Sequence, residues 1–323
     1  MKFKLARLIG ALLILSAQTV FAQNYPSKPV RVIIPAGAGG AVDTLARLVA
    51  EKLSVALGQP FRPENMAGAA TTIGSEFTAN APPDGYTMLV MTNSHAINGA
   101  LRKNLRYDPE KSFAPVILLA TLPDFLLVHP SVKANTVVEL IDLAKKNPGK
   151  LNFSSAGTGS GTHLDGELFN TMAKVDLVHV PYKSGTAALT DLVGGHVQIM
   201  FSNPVAAASH LTYGRLRALG ITSATRFSLF PNVPTIAEAG VPGYESNTWY
   251  GVLLPAATPV AIVNTLNREI QKILDQPDIK KRIQNDGGNV VGGTPQEFSR
   301  YMQEDILRWK KLVEVNPKLR IDE

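Results

Sequence analysis

The chain has no cysteine among its 323 residues. Disulfides, thiol catalysis and a lipid anchor on an N-terminal cysteine are therefore excluded. It also lacks an apolar run of the roughly 20 residues that a membrane-spanning helix needs. Its one leading run, Leu8 to Leu15, stands behind Lys2, Lys4 and Arg7 and ahead of Val20-Phe21-Ala22, the layout of a secretory signal peptide over residues 1 to 22. Cleavage after Ala22 is expected, so the mature chain begins at Gln23, and an exported, cysteine-free protein fits a bacterial periplasm. Charge is sparse as well. Only 18% of residues are charged, and because the leader holds three positive charges and no negative one, the formal charge falls from +6 to +3. That excess is too mild for a nucleic-acid or membrane-surface binder.

Signatures of nucleotide chemistry and hydrolysis are missing too. Starting from Gly157, the sixth position of a dinucleotide fingerprint is Thr162 instead of glycine, and no Gly-Lys-Ser/Thr of a P-loop occurs. A nucleophile elbow at Ser160 would need glycines where Thr158 and Thr162 stand. His163 and Glu167, four residues apart, could face a metal from one helix, but no third ligand lies near them. Ser160 close to His163 does not amount to a triad, which is a matter of geometry. No catalytic residue, metal or cofactor is expected.

What the sequence does have is one plan, used repeatedly: a short strand, a loop of small residues, then a helix. Val30 to Ile34 reads as a strand and runs through Ala38, Gly39, Gly40, Ala41 and Val42 into a helix with Leu45, Val49, Leu53 and Leu57 on one face; Asp43 sits in its first turn. Around Leu151, Phe153 and two serines a second strand forms, followed by Gly157 to His163 and a helix marked by Leu164, Leu168 and Met172. Leu177 to Pro181 leads into Ser184, Gly185 and Thr186 before the helix Ala187 to Val193, and Val197 to Phe201 ends in Ser202-Asn203-Pro204. Such loops aim backbone N–H groups and hydroxyls at one place, the start of a helix, which attracts carboxylate or phosphate.

Alternation of strands and helices along the whole chain predicts an α/β protein. About 300 mature residues exceed what one core usually holds, so two domains are expected. Leu122-Pro123-Asp124, between the apolar runs Val116 to Ala120 and Phe125 to Val128, marks a crossing between them, and Trp249 to Leu254 marks the return. Domain 1 then comprises residues 23 to 122 and 248 to 323, and domain 2 residues 123 to 247. Thr136 with Glu139 predicts a capping box for the helix Val137 to Lys146, and Thr294 with Glu297 another; Thr258-Pro259 reads as a further N-cap. The last helix carries Phe298, Tyr301, Met302, Trp309, Leu312 and Val313 on one face and should pack down.

An ordered set of motifs spans nearly all of the mature chain. It consists of Tyr25-Pro26-Ser27-Lys28-Pro29-Val30, the glycine loop ending in Asp43, Pro83-Asp84-Gly85-Tyr86-Thr87, the Gly157 to His163 loop, Pro181-Tyr182-Lys183, Asp191-Leu192-Val193-Gly194-Gly195, Leu216-Arg217-Ala218-Leu219, Pro231-Asn232-Val233-Pro234-Thr235, Val241-Pro242-Gly243-Tyr244 and Gly292-Gly293-Thr294-Pro295. In this the chain resembles the Bug family of periplasmic solute-binding proteins, the TctC-like receptors of tripartite tricarboxylate transporters. The resemblance implies a two-domain Venus-flytrap fold, each domain a mainly parallel sheet flanked by helices, that closes on a small carboxylate and delivers it as a monomer to integral membrane transporter subunits. A ligand-presenting partner of a membrane sensor would need the same clamp. Mapped onto this sequence, the family's ligand loops are Ala38 to Val42, Thr158, Gly159, Ser160, Thr162, His163, and Ser184 to Thr186, with Asn203 added from the fourth strand end. Two positions depart from the family: its first loop is commonly Pro-Pro-Gly-Gly, and an aspartate is common where Ser202 stands.

A clamp without arginine is energetically sufficient. Micromolar binding needs about −8 kcal/mol, while each hydrogen bond to a charged group contributes roughly 1.5 to 3 kcal/mol and a helix end up to ~2 kcal/mol. Because Ser184, Gly185, Ser202 and Asn203 offer no anion to an ammonium group, a carboxylate lacking one is the expected ligand.

Overall fold

The structure, a computed structural model, describes residues 25–320 apart from Ser228; the leader and its cleavage site lie outside the described residues. Strands β1 (Val30–Ile34), β2 (Phe61–Asn65), β3 (Thr87–Thr92) and β4 (Phe113–Leu122) are interleaved with helices α1 (Ala41–Leu57), α2 (Thr72–Ala79) and α3 (Ser94–Leu101). Then follow β5 (Phe125–Val128), β6 (Asn152–Ser155), β7 (Val178–Pro181), β8 (Ile199–Ser202) and β9 (Arg217–Ile221), with α4 (Val137–Lys146), α5 (Gly161–Ala173), α6 (Gly185–Val193) and α7 (Pro204–Thr212). Strands β10 (Thr248–Pro255) and β11 (Asn289–Gly292) close the chain with α8 (Val260–Leu274), α9 (Pro277–Asn285) and α10 (Pro295–Val315).

Two sheets result. The first has the order β11-β4-β10-β3-β1-β2 and the second β7-β6-β8-β5-β9. Both are mixed. In the first, β1 to β4 share one direction and the late strands β10 and β11 run against them; in the second, only β5 is reversed. The reversed strands β10 and β5 are the ones that follow the passages between sheets, Asn247 to Thr248 and Leu122 to Phe125. Helices cover both sheets, which is why β1 and β5 read as almost unbroken apolar runs.

Among the described residues, three apolar clusters make up the interior. One lies between α1, α8 and the first sheet, and one beneath α6 in the second. The largest joins both sheets, bringing Leu126, Phe153, Leu164 and Phe169 together with Trp249, Phe298, Met302 and Trp309. Helix α10 therefore packs down through the face expected of it. Among the described residues no helix is long and apolar enough to cross a membrane.

The helix starts follow local chemistry, with two corrections. Thr294 accepts from the Glu297 N–H at 3.2 Å while the Glu297 carboxylate accepts from the Thr294 N–H at 2.7 Å, a complete capping box. At α4 the Thr136 hydroxyl accepts from the Glu139 N–H as expected, but Glu139 reaches one residue further back, to the Asn135 N–H at 2.6 Å. Thr258 does not cap α8. Its hydroxyl donates to the Pro255 carbonyl at 2.7 Å, and Pro259, which has no side-chain acceptor, occupies the cap position.

Candidate functional site

A cleft of about 900 Å³ opens between the two sheets. Its walls are the strand-to-helix loops of both lobes: Gly39, Ala41 and Thr44 on one side, and Thr162, Gly185, Thr186, Ser202, Asn203 and Val205 on the other. Its floor is made by the passages between lobes, through Leu122, Asp124, Thr248 and Tyr250. The starts of α1, α5, α6 and α7 thus all border one space, each bringing the N–H groups of its first turn, which have no partner within the helix.

Side chains at the loop ends hold these helix starts in place. Ser160 accepts from the His163 N–H, Ser184 from the Ala187 N–H and Asn203 from the Val205 N–H. Thr162 accepts from the Ala156 N–H at 3.1 Å, tying α5 back to the end of β6. In the first lobe the turn needs Gly39 at a φ of 85°, in the left-handed region. Asp43 closes it, accepting from the Gly39 N–H at 2.9 Å, the Arg47 Nε at 3.0 Å and the Asn65 Nδ2 at 2.9 Å.

The Arg47 contact first, and then the Gly39 N–H, lower the Asp43 pKa from 3.8 to about 2. Since the folded value is depressed, Asp43 stabilises the fold fully above its unfolded pKa, and that contribution is lost as pH falls through about 2. Asp43→Asn should therefore unfold more easily than wild type at pH 5 and lose less stability between pH 5 and 2. Urea midpoints across that range would check this, and parallel acid limbs would refute it.

The residues expected to hold ligand divide into groups. Gly39, Ala41, Thr162, Gly185, Thr186 and Asn203 line the cleft. Gly40 is the backbone cap of α1, Ala38 flanks the lining without joining it, and Val42 is buried in the core under α1. Ser160 and Ser184 direct their hydroxyls to capping. Thr158, Gly159 and His163 border a separate pocket of about 380 Å³ against Glu167, Asn316 and Arg320. The helical rotation of about 100° per residue separates Thr162 from its neighbour His163. His163 is buried, with its ring 3.9 Å from that of His179, and its Nδ1 accepts from the Gly159 N–H at 3.2 Å. Burial, aided by His179, lowers its pKa to about 4, so it is neutral at pH 7 and offers an anion no charge.

The cleft also contains side chains that sequence reasoning missed. Arg282 and Asp286, 3.6 Å apart, come from the end of α9. An arginine thus stands at a site where none was expected, although its side chain is 58% exposed. His210, from α7, lines the opposite wall with a buried Nδ1 that has no partner. Asp124 is hydrogen-bonded to Asp165 of α5, which is buried and accepts from the Ser246 hydroxyl. Burial raises Asp124 to about 6, and burial together with the Asp124 charge raises Asp165 further, so the two carboxyls share a proton. Tyr250 is pushed up to about 12 by burial and by the nearby charges of Asp124 and Asp286.

Comparison with known proteins agrees with this architecture. Residues 45–317 match the model of the tripartite tricarboxylate transporter family receptor, TctC. A Pseudomonas protein encoded in the tcbD-tcbE intergenic region is 37% identical over 310 residues, 95% of this chain and 92% of that one. Among solved structures, R. palustris Rpa4515 with adipate superposes with a TM-score of 0.75 at 37% identity, covering 90% of this chain and 97% of the other. MatC (Rpa3494) from Rhodopseudomonas palustris, with bound malate, gives 0.73 at 35% identity and covers 90% of this chain and all (100%) of the other. The chain belongs to the TctC family, the Bug-type periplasmic solute-binding receptors, which bind their ligands and are not enzymes.

Proposed function

We propose that this protein captures a small organic carboxylate between its lobes, residues 23–122 with 248–323 and residues 123–247, and delivers it in the periplasm to the integral membrane subunits of a tripartite tricarboxylate-type transporter. The observation that carries this reading is the bordering of one cleft by four helix N-termini, those of α1, α5, α6 and α7. Each end favours an anion by up to ~2 kcal/mol, and their N–H groups supply charge-assisted hydrogen bonds. Two family members hold adipate and malate, both small dicarboxylates, in their solved structures. The ligand reaches its position from both walls at once, so closure of the lobes and binding are one event.

Calorimetry with a panel of small mono- and dicarboxylates should give one saturable site for at least one of them, unaffected by EDTA. At a hundred times its Kd that ligand should add about 2.7 kcal/mol to stability. Native mass spectrometry of gently purified protein should find it already bound. Chemical conversion of the ligand, or binding that EDTA abolishes, would overturn the reading.

A further inference from the structure

The walls of the cleft and its floor are of opposite electrical character. Helix starts make the walls attractive to anions, whereas the floor holds Asp124 with the buried Asp165 beneath it; Asp286, near Tyr250, is paired with Arg282 at 3.6 Å. A ligand carboxylate brought against Asp124 would meet a like charge, whereas a hydrogen-bond donor there would find an acceptor.

Asp124 is also firmly placed. Its N–H donates to the Thr222 hydroxyl at 2.8 Å, and its carbonyl accepts from the Thr222 N–H at 2.9 Å. The Thr222 carbonyl in turn accepts from the Ser246 N–H at 2.9 Å, and Ser246 donates its hydroxyl to Asp165. Both passages between the lobes are thereby stitched to the same carboxyl pair. Beneath it, the Tyr244 hydroxyl donates to the Asp165 carbonyl at 2.9 Å, fixing α5 under the floor. A pair of hydrogen-bonded carboxyls with one shared proton bears one negative charge and keeps acceptor lone pairs free on the member that lines the cleft, here the half-buried Asp124.

We propose that Asp124, backed by Asp165, is a specificity-determining residue that accepts a hydrogen bond from an ammonium or hydroxyl group beside the ligand's carboxylate, so that the cleft selects 2-amino and 2-hydroxy acids over unsubstituted dicarboxylates. This rests on the carboxylate reading above and narrows it. It also reverses the expectation of a ligand without an amino group, which rested on the loop ends alone. The anion that was missing there is supplied by the passage between the lobes.

Three four-carbon dicarboxylates that differ only at C2 test this: succinate, malate and aspartate, titrated calorimetrically into the full-length mature protein at pH 7. Wild type should bind malate and aspartate at least tenfold more tightly than succinate. In Asp124→Asn that advantage should fall to threefold or less. Asp165→Asn leaves the cleft-lining carboxylate of Asp124 in place and should keep the tenfold preference. Melting temperatures measured in parallel show that each variant is folded. Equal affinity of wild type for all three, or an undiminished preference in Asp124→Asn, would overturn the assignment while leaving a carboxylate receptor intact. Failure of all three to bind, together with every other carboxylate of the panel, would overturn both.

Discussion

Replacing Thr186 with aspartate is expected to weaken carboxylate binding about a hundredfold while leaving the melting temperature unchanged or slightly higher. Thr186 is exposed, lines the cleft and lies in the first turn of α6. A carboxylate there meets the ligand's charge across a few ångströms of partly screened space, a repulsion of about 3 kcal/mol at an effective dielectric constant near 20, and about 1.4 kcal/mol corresponds to each factor of ten. The same aspartate suits the N-terminal end of α6, contributing about 0.3–1 kcal/mol to the fold. Function and stability should therefore move in different directions. Calorimetry beside thermal unfolding reads both, and unchanged affinity would remove the start of α6 from the site.

A valine at Gly251 should be among the most damaging single substitutions in the chain, costing about 3 kcal/mol. Gly251 lies in β10, between β3 and β4, and a Cβ there would overlap the Phe298 ring. Phe298 has no room to retreat. It is 1% exposed and sits edge-on to Trp249 at 5.5 Å. Trp249 is itself held by a 2.8 Å hydrogen bond from its Nε1 to Asp305. The glycine thus lets α10 lie directly on the strand that enters the first lobe. Phe298→Ala empties the contested space, so the double variant should be more stable than the sum of the two single losses predicts. Simple additivity in urea unfolding would show that the clash is not what Gly251 avoids.

Hydrophobic periodicity made much of the scaffold legible in advance. Strands β1 and β5 and helix α4 begin and end where their patterns do, because each is an apolar run or stripe bounded by turn residues. Elements without that contrast escaped notice. Edge strand β2 reads Phe-Arg-Pro-Glu-Asn, and only an edge tolerates its proline. Helix α9 buries only Ile279 and Ile283, so it looks like a polar loop. The lining of the cleft was partly legible for a related reason. Strand-to-helix loops announce themselves through glycine and small polar residues, and six of the residues chosen from them line the cleft. Which hydroxyl is directed to capping its own helix, as at Ser160 and Ser184, depends on backbone angles that composition does not encode. Asp124, Asp165 and Arg282 lie on three separate segments, and only the passage of the chain between sheets brings them to one place.

The position of β10 has a consequence for the order in which this molecule can be made. It pairs with both β3 and β4 in the first sheet, yet it follows the whole second sheet in the chain. A nascent polypeptide that has reached Asn247 has already produced β1 to β4, but no strand joins β3 to β4, and the aromatic cluster of α10 does not yet exist. The lobe synthesised first is finished last. Its contacts span more than a hundred residues of sequence, a topology that folds slowly.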